Sequence, residues 1–243
     1  MTPDPTECAI VELRQYTLHP GQRDTLIELF EREFVDTQEA AGMRVLGQFR
    51  DLDDGQRFVW LRGFDSMKSR RASLEAFYDG PVWQAHREAA NATMLDSDNV
   101  LLLRPAWPGA GIPLHTGARA APGAHATPPG LLDASIFPLR EPAGGDLPAL
   151  CREVLAPVLR RGGARRLGWY VTEPGANTFP RLPVREGEQV LVGLALFDGL
   201  AAFEAFARGG TWARDAQPAL ARWLAGPTES HRLVPTPRSA LHA

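Results

Sequence analysis

Five polar or aromatic side chains, four of them able to donate to an anion, recur at every second position of two short apolar segments. In IVELRQYTL (10–18) they are Glu12, Arg14 and Tyr16; in RFVWLRGF (57–64) they are Trp60 and Arg62. Two guanidiniums beside a phenol and an indole suit a carboxylate, a phosphate or an enolate, because arginine meets such groups with two parallel hydrogen bonds. Glu12 would then position an arginine or move a proton. The same residues also support a plainer role. Glu12 paired with Arg14 or Arg62 makes a structural ion cluster, a contact that adds little net stability yet is costly to break singly.

The alternation itself predicts strands over both segments. Between them, Leu26, Phe30 and Phe34 repeat at four-residue spacing over 21–41, a helix that Gly42 stops. MRVLGQFRD and RFVWLRGF are strands joined by the polar turn LDDG. A helix over SMKSRRASLEAFYDG follows, Pro81 starts another that runs to about Leu95, and NVLLLRP closes with a strand. The order is βαββαβ, the ferredoxin-like split unit.

The last third of the chain repeats this unit. FVWLRGFDSMKSRRASLEAFYDGPVW (58–83) returns as LVGLALFDGLAAFEAFARGGTW (191–212), VLGQF (45–49) as RLGWY (166–170), and VELRQYTL (11–18), more weakly, as DASIFPL (133–139). Self-similarity of this kind signals a duplicated unit. Residues 105–130 hold six prolines and five glycines, which excludes a helix or a central strand and marks a linker. The expected organisation is a disordered N-terminus (1–7), a first domain (8–105), a linker (106–130), a divergent second domain (131–235) and a tail (236–243). In the second copy Pro157 falls inside a helix and predicts a kink or an early end.

A βαββαβ unit covers one face of its sheet with helices, so its other face must pack elsewhere. The second copy supplies that cover, and the fold class expected is α+β, two ferredoxin-like domains pairing as a barrel. Assigning Val11, Leu13, Val59 and Leu61 to the helix-covered face aims Glu12, Arg14, Tyr16, Trp60 and Arg62 into the space between the copies. A one-residue error in that assignment turns every side chain over. In the second copy Arg14, Trp60 and Arg62 are replaced by Ser135, Gly193 and Ala195. Small residues facing charged and aromatic ones leave room for a small molecule.

Other chemistry is sparser. A net charge of −3 gives no basic footprint for nucleic acid. Cys8 and Cys151 form no metal or disulfide framework and read as reduced structural thiols. The start MTPDPTE lacks a signal sequence and no apolar run reaches the roughly 20 residues of a membrane span, so the expectation is cytoplasmic, with no cofactor and a possible homo-oligomer. His86, one helical turn after Trp83, is a candidate general base, ligand contact or haem ligand, against a solvated or core role. His19, His115, His125, His231 and His242 share no metal-ligand spacing. Asp51, Asp53 and Asp54 suit a hairpin turn rather than a calcium loop. SRR (69–71) and RRGGARR (160–166) read as solvated helix edges.

ELRQYTLHPG, VLGQFRDLDD, FVWLRGF and LEAFYDGPVW, in that order, resemble the NIPSNAP family over residues 8–105. The resemblance implies the dimeric α+β barrel superfamily, which includes antibiotic-biosynthesis monooxygenases, EthD-like proteins, muconolactone isomerases and some haem enzymes, and in which ligands bind in the barrel interior. It transfers no catalytic motif, and some members are interaction or vesicle-associated proteins. Two functions follow as expectations. One is a cofactor-independent monooxygenase or isomerase acting on an enolisable or aromatic anion. The other is a non-catalytic binding or scaffold protein whose charged cluster is structural.

Overall fold

Strand-forming segments at both ends of the chain meet edge to edge. In the computed structural model, which describes residues 7–113 and 117–243, the first half runs β1 (Ile10–Leu18), α1, β2 (Arg44–Asp51), β3 (Arg57–Phe64), α2 (Met67–Tyr78), α3 (Pro81–Asn91), a short β4 (Met94–Asp96) and β5 (Val100–Pro105). Helix α1 comprises Arg23–Leu29, a wide π turn at Phe30–Phe34, and Val35–Ala40. The second half runs β6 (Leu131–Pro138), α4, β7 (Arg166–Thr172), β8 (Val190–Phe197), α5 (Leu200–Arg208), α6 and β9 (Glu229–Pro235). Helices α4 and α6 start at Leu147–Leu150 and at the π turn Trp212–Ala216, and end with Ala156–Arg161 and Ala221–Trp223.

Eight strands close into an antiparallel barrel in the order β3-β2-β9-β6-β8-β7-β5-β1, with β1 returning to β3 and β4 lying beside the end of β1. Two seams join the halves: β2 to β9 (Phe49↔Pro235) and β5 to β7 (Leu103↔Thr172). Closure leaves no open edge in the ring, which removes the usual route to edge-to-edge association.

The barrel interior is filled with aliphatic side chains from both halves. Val11, Leu13, Val59, Leu61, Leu101 and Leu103 meet Leu132, Ala134, Ile136, Val192, Leu194 and Leu233 in one buried cluster. An eight-stranded lumen is wide enough for packed side chains or one small ligand, and here side chains fill it. The face assigned to helices in the sequence is therefore the lumen face. Glu12, Arg14, Tyr16, Trp60 and Arg62 lie together as expected, but they point outward, beneath α1 and α2, where Tyr16 and Trp60 join Leu26, Phe30, Phe34 and Phe77. The reversal has a physical cause. Both faces of β1 and β3 are buried, so polarity does not mark the solvent side. Aliphatic chains fit the narrow lumen, while arginine and tryptophan need the deeper space between sheet and helices.

Pro157 does not end its helix. A π turn at Cys151–Leu155 precedes it, the Ala156 N–H bonds the Cys151 carbonyl five residues back, and the helix continues to Arg161. Widening the turn absorbs the register change around the missing proline donor. Pro218 follows a π turn in the same way in α6.

The segments outside the strands and helices cap the barrel. Of the residues expected to be disordered, 1–6 lie outside those described, as does His115; Glu7 accepts backbone N–H groups of Gly109 and Gly111 at 2.9 Å each. The 106–130 segment carries no helix or strand among its described residues, yet it sends Ile112 into the interior cluster. The expected tail is packed as well. Leu241 enters the same cluster, and the carboxylate of Glu31 in α1 accepts the Thr236 hydroxyl at 2.6 Å and the Arg238 N–H at 2.8 Å. Removing residues 236–243 exposes that interior and leaves Glu31 buried without donors. Chemical denaturation should show a loss on the order of 3–5 kcal/mol; an unchanged midpoint contradicts this role for the C-terminus.

Candidate functional site

Cross-strand register sets both candidate sites. In the first half Glu12 faces Arg62, and Arg14 faces Trp60. Glu12 Oε2 accepts Arg14 Nη1 and Arg62 Nε at 2.7 Å each, and Oε1 accepts Arg70 Nε at 2.7 Å. Arg62 Nη1 donates to Gln38 Oε1 at 3.1 Å, and Arg14 Nε to the Tyr16 hydroxyl at 3.0 Å. Arg70 Nη1 reaches Asn177 and Thr178, on the long loop between β7 and β8. Phe179 of that loop stacks on Tyr78, with ring centroids 5.8 Å apart. The second half therefore lays a loop over the helical layer of the first.

Burial opposes ionisation of Glu12, but the charges of Arg62, Arg14 and Arg70 outweigh it and hold the carboxyl well below the usual carboxylate range. Glu12, Arg14, Arg62 and Arg70 are each at most 1 % exposed. The void beside them, lined in part by Tyr16, Trp60 and Gln38, measures about 30 Å³, roughly the volume of one water. The first-half cluster ties β1, β3, α2 and a second-half loop together; it has no room for an organic ligand. His86 is not part of it. Its Nε2 lies 3.5 Å from Glu33, at the helical surface.

The second half repeats the register with different residues. Asp133 faces Ala195 and Ser135 faces Gly193. Where Glu12 has three guanidiniums, Asp133 has none, and the space they would fill is open. The cavity there measures about 360 Å³, within the range of small-molecule sites. Its floor is Asp133, Ser135, Trp169, Gly193, Ala195 and Ser230; Phe203, Phe206, Trp212 and Leu220 cover it from α5 and α6. Phe137 and Trp212 stack with centroids 6.1 Å apart, giving it a flat aromatic wall. Gly193 is needed here: a Cβ at this position would come within 2.9 Å of the Trp169 ring. Trp169 is 3 % exposed, and its indole N–H has no partner among the described residues.

Burial pushes the Asp133 carboxyl up to about 6, against hydrogen bonds from Ser230 and Ser135 and the charge of His231. The Ser230 hydroxyl is 3.4 Å from Asp133 Oδ1. An acid that exchanges its proton near neutrality, beside an unused N–H donor in an apolar cavity, is equipped for proton transfer. Among the described residues no group of three or more His, Cys, Asp or Glu is placed to hold a metal.

Sequence reasoning missed Arg70, Gln38, Asp133, Trp169 and Ser230. Arg70 had a signal, since it shares a helical face with Leu74 and Phe77, all buried. Asp133 had one too, because the internal repeat aligns it with Glu12. The Asp51–Asp53–Asp54 turn serves its hairpin, with Asp53 N–H on Asp51 at 2.8 Å, and Asp51 also meets His231 Nδ1 at 2.8 Å.

Removing the Glu12 charge leaves three guanidiniums without their shared anion. Glu12→Gln should cost about 3–5 kcal/mol at pH 7, read by denaturant unfolding. An unfolded glutamate takes up its proton near the ordinary value of 4.5, the folded one only far below it. The stabilisation is therefore complete above that value and lost on further acidification. Wild type should lose stability below pH 4.5 more steeply than Glu12→Gln; parallel profiles would rule the cluster out as the cause.

Residues 11–107 match the NIPSNAP family model. Over the whole chain the fold is similar to a "putative monooxygenase" from Lactobacillus acidophilus, at 11% identity and TM-score 0.59, covering 97% of this chain and 99% of that one. A protein of Fusobacterium nucleatum with the same description is similar at 6% identity and TM-score 0.60, covering 98% of each chain. An anthrone oxidase-like protein is similar at 16% identity and TM-score 0.53, covering 98% of this chain and 99% of that one. No curated protein matches the chain. At such identities these structures show a shared α+β fold, and the family likeness is confined to residues 11–107, which are similar to the NIPSNAP family.

Proposed function

We propose that the protein binds a small, flat aromatic molecule in the second-half cavity and that Asp133 takes a proton from it. The carrying observation is Asp133, without a cationic partner and with its carboxyl pushed up to about 6, on the floor of a 360 Å³ largely apolar cavity. Trp169 N–H would donate to a carbonyl or hydroxyl of the ligand, and the Phe137–Trp212 wall would stack on its ring. Deprotonating the acidic methylene C–H of an anthrone-type ring gives a stabilised carbanion that dioxygen can oxidise. For an anthrone the balance is one substrate and one O2 giving one quinone and one water. The descriptions of the similar folds, a monooxygenase and an anthrone oxidase-like protein, agree with this chemistry.

This reading moves the site expected between the domains to the helix-covered face of the second half, and reduces Glu12, Arg14, Tyr16, Trp60 and Arg62 to a structural role. It also treats 8–105 and 131–235 as two ferredoxin-like units from a duplication, joined by 106–130. The matching registers Glu12↔Arg62 and Asp133↔Ala195 support that history. No helix among the described residues is long and apolar enough to cross a membrane.

A hydroxyanthrone serves as the test ligand, with quenching of tryptophan fluorescence and oxygen uptake as readouts. Ala195→Leu fills the cavity without touching the barrel lumen, so binding should weaken at least tenfold while thermal stability holds. Asp133→Asn should bind the ligand and lose about 10²–10⁴ in rate. Equal oxygen uptake by Asp133→Asn and wild type removes the proton-transfer role; equal binding by Ala195→Leu removes the cavity.

Stability gives an independent check. Between the ordinary value of 3.8 and about 6, folded Asp133 holds a proton that the unfolded chain has released. Its contribution therefore falls as pH rises through this window, and the full penalty stands above pH 6. Asp133→Asn should be more stable than wild type at pH 8 by about 1–3 kcal/mol, and no more stable at pH 3. An equal difference at both pH values contradicts the raised carboxyl.

A further inference from the structure

The first-half cluster is short of negative charge. Among the described residues Glu12 is the one carboxylate in contact with Arg14, Arg62 and Arg70, so three positive charges meet one negative. None of the four side chains is exposed enough for solvent to screen it, and unpaired buried charge is strongly unfavourable.

The hydrogen-bond donors are in surplus as well. Arg62 Nη2 lies 2.7 Å from Glu12 Oε2 but off the hydrogen-bonding direction, and both it and Arg70 Nη2 lack an acceptor. The Trp60 indole N–H, on a side chain 2 % exposed, has none either. The Tyr16 oxygen accepts Arg14 Nε, while its own hydrogen finds no acceptor among the described residues. Trp60 and Tyr16 both line the 30 Å³ void. The Arg14 guanidinium carbon is 5.6 Å and 5.4 Å from their ring centroids. A water there would satisfy the indole and the phenol but leave the charge uncompensated.

We infer that this void binds one halide-sized monovalent anion, chloride in ordinary saline, held by the Trp60 N–H and the Tyr16 O–H in the field of Arg14, Arg62 and Arg70. A space of this volume is too small for a carboxylate ligand or a phosphate. The anion would act as a structural counter-ion, independent of the second-half cavity.

Thermal unfolding at fixed ionic strength, with sodium chloride or bromide exchanged against sodium sulfate, tests the site together with anomalous diffraction from bromide-soaked crystals. The midpoint should rise with halide along a saturating curve and stay flat with sulfate, and a bromide peak should lie within hydrogen-bonding distance of Trp60 Nε1. Trp60→Phe, which keeps the ring and removes the donor, should raise the half-saturating halide concentration about tenfold or more. Should that variant fail to fold, the wild-type diffraction still decides. A water or an empty void in the bromide crystals overturns the site, as do identical midpoints in halide and sulfate.

Discussion

A carboxylate beneath a helical layer is kept ionised by a cation or shifted toward its protonated form, the more so the deeper it lies: Glu12 is fully buried, Asp133 partly. This chain shows both outcomes at one sheet position. Glu12 on β1 has guanidiniums on three sides and stays ionised; Asp133 on β6 faces Ala195, has no guanidinium beside it, and burial pushes its carboxyl up to about 6. The absence of arginines beside Asp133 has two consequences at once. No positive charge holds the acid ionised, and no long side chain fills the space. The raised carboxyl and the cavity beside it therefore have one cause.

The barrel explains why both sites lie outside it. Its lumen is closed by strand pairing around the full ring and filled by aliphatic residues of both halves, with Ile112 and Leu241 added from the connecting and C-terminal segments. Tyr170 enters it with its hydroxyl accepting the Ile112 N–H at 2.7 Å, but Glu12, Arg14 and Arg62 of β1 and β3 point the other way. Such charged groups are left with the space beneath the helices. The first half closes that space with arginines and with the Asn177–Phe179 loop. The second covers it with α5 and α6, where Phe203 and Trp212 bound the cavity.

Much of this was legible in the residues. Strand segments followed from alternation and helix α1 from Leu26, Phe30 and Phe34. The association of Glu12, Arg14, Tyr16, Trp60 and Arg62 followed from strand parity and the neighbouring of β1 and β3. Their direction did not, because alternation names two faces without saying which one meets helices when both are buried. The small residues Ser135, Gly193 and Ala195 correctly signalled room, yet the room opens beside them, under their own helices. Asp133 was hidden by the weakness of the VELRQYTL and DASIFPL match, although that alignment places a carboxylate at the same point in each. Arg70 was masked by its neighbours in SRR, which read as a solvated run. His86, one turn after Trp83, takes the solvated or core role weighed against a ligand contact: it lies beside Glu33 and edge-on to Phe34.

The most direct test of this account is a carboxyl-carbon NMR titration of Glu12 and Asp133 in the same sample. Asp133 should titrate with a midpoint near 6, and Glu12 should show no protonation down to the onset of acid unfolding. If both carboxyls titrate together near 4, the contrast between the paired and unpaired acid is absent, and with it the physical basis for placing a proton-transfer site in the second half.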